Sequence, residues 1–176
     1  VLDFMGFAQK GGAVHSHLRI ANDGSAVMAA RIGNAEADLL LGCDLVASVA
    51  LDSFRTVDPA RTYVLGNSRI APTASFTKDP NASFDSSPLI DQIRALVGEE
   101  RCDFVDATHL ASSLTGNSLA TNMFMVGVAS QKGLLPIGMD AIHRAIELNG
   151  TAVSFNKLAY ALGRMAVHDP AVLERL

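Results

Sequence analysis

Three short apolar runs, each followed by a helical pattern, constrain the fold of this sequence more than any other feature. The runs are ADLLL at residues 37–41, TYVL at 62–65 and CDFVD at 102–106. Short continuous apolar runs are typical of strands buried in a parallel sheet. Helical patterns follow them at residues 44–54, 88–97 and 109–114. This alternation predicts an α/β domain with an open, mostly parallel sheet that is flanked by helices.

Patterns at the two ends of the sequence complete the predicted fold. Alternating or apolar stretches predict strands at residues 1–4, 13–21 and 26–32. The turn Asn22-Asp23-Gly24 between the last two predicts one antiparallel hairpin. Helical patterns predict a helical C-terminal third, at residues 119–132, 140–148 and 152–167.

Composition bounds the class of protein. The chain has 176 residues, of which 49% are hydrophobic and 18% charged, which is typical of one globular domain. A mean hydropathy of +0.25 is high, so we expect other chains or domains to cover part of the surface. The net charge of -4 and the absence of basic runs argue against a nucleic-acid partner. No apolar run reaches the ~20 residues that span a bilayer, so we expect no membrane partner.

The chain has two cysteines, Cys43 and Cys102, and no CxxC motif. We interpret both as buried thiols of a protein in the reducing cytoplasm. Two cysteines are too few for an iron–sulfur cluster with four cysteine ligands.

The stretch Gln9-Lys10-Gly11-Gly12 is a candidate binding loop. The Lys10 ammonium and the amides of the two glycines could hold a phosphate or a carboxylate. The alternative is an ordinary flexible loop in which the glycines only make a turn.

The strand after this loop places His15, His17 and Arg19 on one face. Two histidines at this spacing can bind a metal, but Arg19 would repel a cation and no third ligand is near. We therefore predict no metal site, and expect this polar face to contact a partner domain or a ligand.

Two further polar residues, Asp44 and Asn156, each have two interpretations. Asp44 can cap the helix that starts at Leu45, or it can line a ligand crevice at the end of the preceding strand. Asn156 can bond a loop carbonyl or a partner chain.

The stretch 117–132 begins with Asn117, Ser118 and Asn122. Its large apolar residues, Met123, Phe124 and Met125, are predicted to be core. Its small residues, Gly127, Ala129 and Ser130, favour a helix–helix or subunit interface. No GxSxG, HExxH, P-loop or complete GxGxxG motif is present, so the sequence assigns no catalytic residue.

Four stretches together resemble one family. They are FMGFAQKGGAVHSHLRIA at residues 4–21, ADLLLGCDLVAS at 37–48, NMFMVGVASQKGLLPI at 122–137 and AIELNGTAVSFNKLAYALGR at 145–164. They resemble, in the same order, the gamma (catalytic) domain of the 2-oxoacid:ferredoxin oxidoreductases, and are most similar to its indolepyruvate branch. The similarity extends over essentially the whole chain.

The resemblance implies a reaction and partners. A 2-oxoacid is decarboxylated on thiamine diphosphate, electrons pass through iron–sulfur clusters to ferredoxin, and coenzyme A receives the acyl group. Thiamine diphosphate, Mg²⁺ and the clusters are expected on other domains or subunits of the enzyme, which we expect to be a homo-oligomer. On this analogy Gln9, Lys10, Gly11, Gly12 and Ser16 contact coenzyme A or a neighbouring domain.

The sequence also departs from the family pattern at its start. The gamma domain begins with a strand, a glycine loop and a helix, and residues 1–176 start at what resembles its second strand. We therefore expect a single gamma-type domain that lacks those elements, belongs to a longer polypeptide and is inactive alone. Two other functions stay open: a non-catalytic assembly module, and a stand-alone nucleotide-binding oxidoreductase, which the missing GxGxxG disfavours. The sequence does not identify the 2-oxoacid.

Overall fold

The computed structural model describes residues 2–5, 14–23, 27, 29, 31–70 and 85–173. The chain divides into two compact units, Val1–Phe104 and Val105–Leu176. The expectation of a single gamma-type domain over residues 1–176 stays a prediction.

A three-stranded sheet organises the first unit. Its strands are β3 (Leu39–Gly42), β4 (Tyr63–Asn67) and β5 (Cys102–Val105), in the order β3-β4-β5. Strands β3 and β4 pair in parallel, with Leu39 opposite Tyr63 and Gly42 opposite Gly66. The predicted α/β fold with an open, mostly parallel sheet is confirmed.

An antiparallel pair is present, but it is formed by other strands than predicted. Strand β1 (Leu2–Met5) pairs with β2 (His15–Leu18), so that Leu2 lies opposite Leu18 and Met5 opposite His15. The prediction of a hairpin between residues 13–21 and 26–32 is wrong. Residues 27, 29, 31 and 32, the described part of the second stretch, lie outside the strands. Arg31 O accepts from the side chain of Arg19, and the Ile32 N–H donates to the side chain of His17.

The helical pattern at residues 44–54 forms two short helices, α1 (Leu45–Ser48) and α2 (Leu51–Phe54), where one was predicted. Ala50 interrupts the helix with extended backbone, at φ -61° and ψ 149°. Helix α3 (Ser87–Val97) begins with Pro88 in its first turn and ends at Gly98, whose φ is +84°.

The core of the first unit lies between this sheet and its helices. Its buried members are Leu45, Val57, Val64, Ile93, Val97 and Cys102. Thr62 is also fully buried, and its hydroxyl donates to Ala37 O at 2.6 Å and accepts from Asp58 N at 2.8 Å. The apolar positions of the strands and of α3 thus meet in one layer, as the α/β pattern predicts.

The second unit is helical, which confirms the predicted helical C-terminal third. Its α-helices are α4 (Ala107–Thr115), α5 (Thr121–Gln131), α6 (Met139–Asn149), α7 (Val153–His168) and α8 (Pro170–Leu173). Gly116 and Gly150 end α4 and α6 in the left-handed conformation. Within the described ranges no helix is long and apolar enough to span a membrane.

Helices α5 and α7 approach each other closely through two glycines. A Cβ on Gly127 would overlap the backbone carbonyl of Tyr160, and one on Gly163 would overlap that of Phe124. Because α5 is apolar on most of its surface, it is the central helix of this unit, with Phe124 and Met125 completely buried.

Candidate functional site

Strand β2 carries the candidate site residue that the structure describes, Ser16. Exposure alternates along the strand, so that Ser16 and Leu18 are exposed whereas His15 and His17 are half-buried. The other candidate residues, Gln9, Lys10, Gly11 and Gly12, lie outside the described residues. Of the five residues of the predicted site, the structure therefore describes only Ser16.

The His15 ring lies on helix α2. Its Nδ1 is 3.1 Å from the Oγ of Ser53, and the same hydroxyl donates to Ala47 O at 2.7 Å. Since a serine hydroxyl has one proton, Ser53 accepts in its contact with His15. The neutral tautomer of His15 with its proton on Nδ1 satisfies both contacts of the Ser53 hydroxyl.

The next residues of the same face bind the segment 31–36. The Ile32 N–H donates to Nδ1 of His17 at 3.1 Å, and Nη2 of Arg19 donates to Arg31 O at 2.7 Å. Arg19 Nη2 also pairs with Oε2 of Glu36 at 2.5 Å. The Gly33 N–H and Arg19 together hold the pKa of Glu36 below its usual range.

These three polar side chains bind groups of their own unit: His15 contacts the Ser53 hydroxyl, His17 accepts from the Ile32 N–H, and Arg19 donates to Arg31 O. The expectation that this face also meets a partner domain or a ligand stays a prediction. The apolar residues face outward: Val14 is 56% exposed, and Leu18 and Ile20 are each 48% exposed.

The two histidines of β2 are the residues that the sequence offers as possible metal ligands, and no metal site was predicted there. Their Nδ1 atoms bond different partners, Ser53 and the Ile32 amide. Across the described ranges, no three His, Cys, Asp or Glu side chains lie close enough to hold a metal ion.

The turn from β3 into α1 lies at the carboxyl edge of the sheet, where open α/β folds bind ligands. Asp44 caps α1, since its Oδ1 accepts from Ala47 N at 3.0 Å, which confirms the capping interpretation. The Ser48 hydroxyl donates to Asp44 O at 2.6 Å. A Cβ on Gly42 would overlap that hydroxyl, so a larger residue there would displace the Ser48 side chain.

Asn67 belongs to this edge and was not predicted from the sequence as a candidate residue. It ends β4, is only 2% exposed, and its Nδ2 donates to Cys43 O at 3.0 Å. Its Oδ1 accepts from Arg69 N at 3.3 Å. Asn67 thus connects the end of β4 to the β3–α1 turn. The signal in the sequence was an amide residue that closely follows the apolar run at residues 62–65.

Both cysteines are free thiols; Cys102 is buried as predicted, whereas Cys43 is only half-buried. Burial, followed by the charge of Asp44, raises the pKa of Cys43 to about 11. Burial also raises the pKa of Cys102, whose Sγ lies 3.4 Å from Gly98 O. Both are protonated at neutral pH, and neither is an activated nucleophile.

The stretch 117–132 forms a helix–helix interface, one of the two possibilities that its small residues left open. Gly127 and the buried Ala129 lie on α5, which packs against α7, and Ser130 Oγ is 2.7 Å from the OH of Tyr160. The Asn117 side chain accepts from Leu119 N at 2.9 Å, and Asn122 is exposed.

The remaining predictions for this unit concern its core and one asparagine. Phe124 and Met125 are buried as predicted, whereas Met123 is half-buried and packs at the edge of a core formed by Ile142, Ile146 and Tyr160. Asn156 Nδ2 donates to Thr151 O at 2.9 Å, which confirms the loop-carbonyl interpretation.

A family model described as pyruvate ferredoxin/flavodoxin oxidoreductase matches residues 2–166, nearly the whole chain. The match covers most of both compact units and includes every candidate residue named above. No curated protein and no solved structure gives a significant match.

Proposed function

The chain belongs to the pyruvate ferredoxin/flavodoxin oxidoreductase family, and from this membership we propose that it is the gamma domain of an indolepyruvate-type 2-oxoacid:ferredoxin oxidoreductase. The family match over residues 2–166 carries the proposal. The Gln-Lys-Gly-Gly stretch at residues 9–12, which resembles the indolepyruvate branch, supports the choice of substrate class. In this proposal the enzyme acts in the cytoplasm as a homo-oligomer, and this domain alone is inactive.

The chemistry in this proposal is divided between domains. Other domains would hold thiamine diphosphate with Mg²⁺, which would supply the decarboxylation chemistry, and iron–sulfur clusters, which would supply electron transfer to ferredoxin; coenzyme A would be the acyl acceptor. The described residues do not fit a resident metal or cluster, because they supply no set of three metal-ligating side chains. This chain then contributes contacts to coenzyme A and to neighbouring domains.

The contact site in the proposal consists of Gln9, Lys10, Gly11, Gly12 and Ser16. Two described features support it. Met5 and His15 lie opposite each other in the β1–β2 pair, so the segment between them starts and ends at the same end of these strands. Ser16 follows directly and is exposed. A lysine and glycine amides in that position suit a phosphate group of coenzyme A.

Steady-state kinetics of the complete enzyme test the site. We expect Lys10→Ala to raise the KM for coenzyme A about tenfold, the effect of losing a charged hydrogen bond, while kcat changes little. Lys132→Ala is the matched control, because Lys132 is an exposed lysine of the second unit. The site is wrong if Lys10→Ala leaves both the coenzyme A KM and the subunit assembly unchanged.

Ferredoxin reduction with different 2-oxoacids tests the substrate class separately. We expect the complete enzyme to prefer indolepyruvate to pyruvate in kcat/KM. Equal rates with both, or a preference for pyruvate, would contradict the indolepyruvate assignment without affecting family membership. Reduction that does not depend on coenzyme A would contradict acyl transfer.

A further inference from the structure

Two histidines on the same face of β2 use the same ring atom in opposite ways. The Nδ1 of His15 donates to Ser53 Oγ, because the Ser53 hydroxyl already donates its proton in the hydrogen bond to Ala47 O. The Nδ1 of His17 accepts from the Ile32 N–H at 3.1 Å. His17 therefore carries its proton on Nε2, and the two rings have different neutral tautomers.

We propose that His17 is an acid-sensitive latch that holds β2 on the segment 31–36. When a proton from solvent binds Nδ1 of His17, that atom becomes a donor and faces the Ile32 N–H donor, so the bond between them breaks. Protonation of His15 adds its proton at Nε2 and leaves the Nδ1–H bond to Ser53 intact. Acid thus releases one of the two histidine contacts and not the other.

Charged residues neighbour His17 along its own chain segment, in the packed segment 31–36 and in the register of β1. Along the chain, His15 lies two residues before His17 on the same face, and Arg19 lies two residues after it, just beyond the end of β2. On the packed segment, Arg31 precedes Ile32, and Glu36 pairs with Arg19. On β1, the residue opposite His17 is Asp3.

The release is local because other contacts remain. The guanidinium of Arg19 keeps its bonds to Arg31 O and to Glu36, neither of which depends on histidine. Farther along the segment, the Ala37 N–H donates to Thr56 O at 2.9 Å. Ala37 also forms a parallel β-bridge with Val57. We therefore expect acid to free the amide of Ile32 while the rest of the segment stays attached.

Amide hydrogen exchange of the full chain at about pH 8 and about pH 5, which span the usual titration of histidine, tests the latch. After correction for the intrinsic exchange rate, we expect protection of the Ile32 amide to fall roughly tenfold at the lower pH, the effect of losing one hydrogen bond. Protection of the Ala37 amide is the internal control and should stay constant. Equal changes at both amides would indicate global acid destabilisation and would overturn the proposal.

His17→Asn separates the latch from other acid effects. The Asn Oδ1 stands where His Nδ1 does and accepts at every pH, so we expect protection of Ile32 to become independent of pH. A pH-dependent loss that persists in His17→Asn contradicts the proposal.

Nitrogen NMR of the wild-type imidazoles gives a readout that needs no variant. At neutral pH we expect the proton of His17 on Nε2 and that of His15 on Nδ1. A proton on Nδ1 of His17 would overturn the latch, whatever the exchange data show.

Discussion

The Oγ of Ser130 lies 2.7 Å from the OH of Tyr160, and this contact joins α5 to α7 inside the core of the second unit. The Tyr160 side chain is fully buried, so its hydroxyl depends on Ser130 for a partner. We expect Ser130→Ala to lower the free energy of unfolding by about 1–3 kcal/mol, since it leaves a buried hydroxyl unpaired.

Urea denaturation of the single and double variants measures this contact. Tyr160→Phe combined with Ser130→Ala removes both partners, so the double variant should lose less stability than the two single changes add up to. Strict additivity of the two losses would contradict a direct hydrogen bond.

The glycines at the α5–α7 contact give the second prediction. Because a Cβ at Gly127 or Gly163 would overlap backbone of the facing helix, we expect either alanine variant to lose roughly 2–4 kcal/mol of stability. Gly138→Ala is the matched control: its φ is -75° and open space surrounds its added Cβ. It should change stability by less than about 0.5 kcal/mol. Similar melting temperatures for all three variants would contradict the close approach.

Sequence alone predicted those parts of the fold whose signals are local. The apolar run of β3 and the proline and glycine around α3 identify their elements without reference to the rest of the chain. The Asp44 cap was predicted for the same reason, since a capping residue acts on the next three residues.

The partner of β2 could not be predicted, because it depends on side chains that compete for the backbone. The turn at residues 22–24 favours a hairpin locally, yet Arg19 and His17 bind the backbone of residues 31–32, and β1 becomes the paired strand. Such long-range competition is invisible to patterns of alternation. The buried Asn67 was missed for a similar reason, since its role depends on a turn 24 residues earlier in the chain.

The third prediction concerns Asn67 and the carboxyl edge of the sheet. Asn67→Asp removes the Nδ2 donor to Cys43 O and places a carboxylate at a position that is 2% exposed. We expect a loss of about 2–4 kcal/mol in urea denaturation at neutral pH, and partial recovery in acid as the carboxyl becomes neutral. Asn34→Asp, at an exposed turn, is the control and should have little effect. A loss of equal size in both variants would assign the effect to net charge.

Tyr63 gives the fourth prediction, through its hydroxyl, which donates to Oδ2 of Asp103 at 2.6 Å. Burial, followed by this hydrogen bond, raises the pKa of Tyr63 to about 12 from an ordinary value near 10. Between those values the folded protein keeps the proton and the unfolded chain releases it. The stabilisation is therefore present below about pH 10 and is lost as the pH rises towards about 12.

Two variants isolate this effect from the titration of Cys43, whose pKa of about 11 falls in the same range. Tyr63→Phe keeps Cys43 but removes the tyrosine, so its stability should fall less steeply between about pH 10 and about pH 12 than that of the wild type. Asp103→Asn keeps Tyr63 but removes the charged acceptor, so phenolate absorbance should show Tyr63 titrating at lower pH than in the wild type. An unchanged absorbance titration in Asp103→Asn would mean that burial alone raises the pKa of Tyr63.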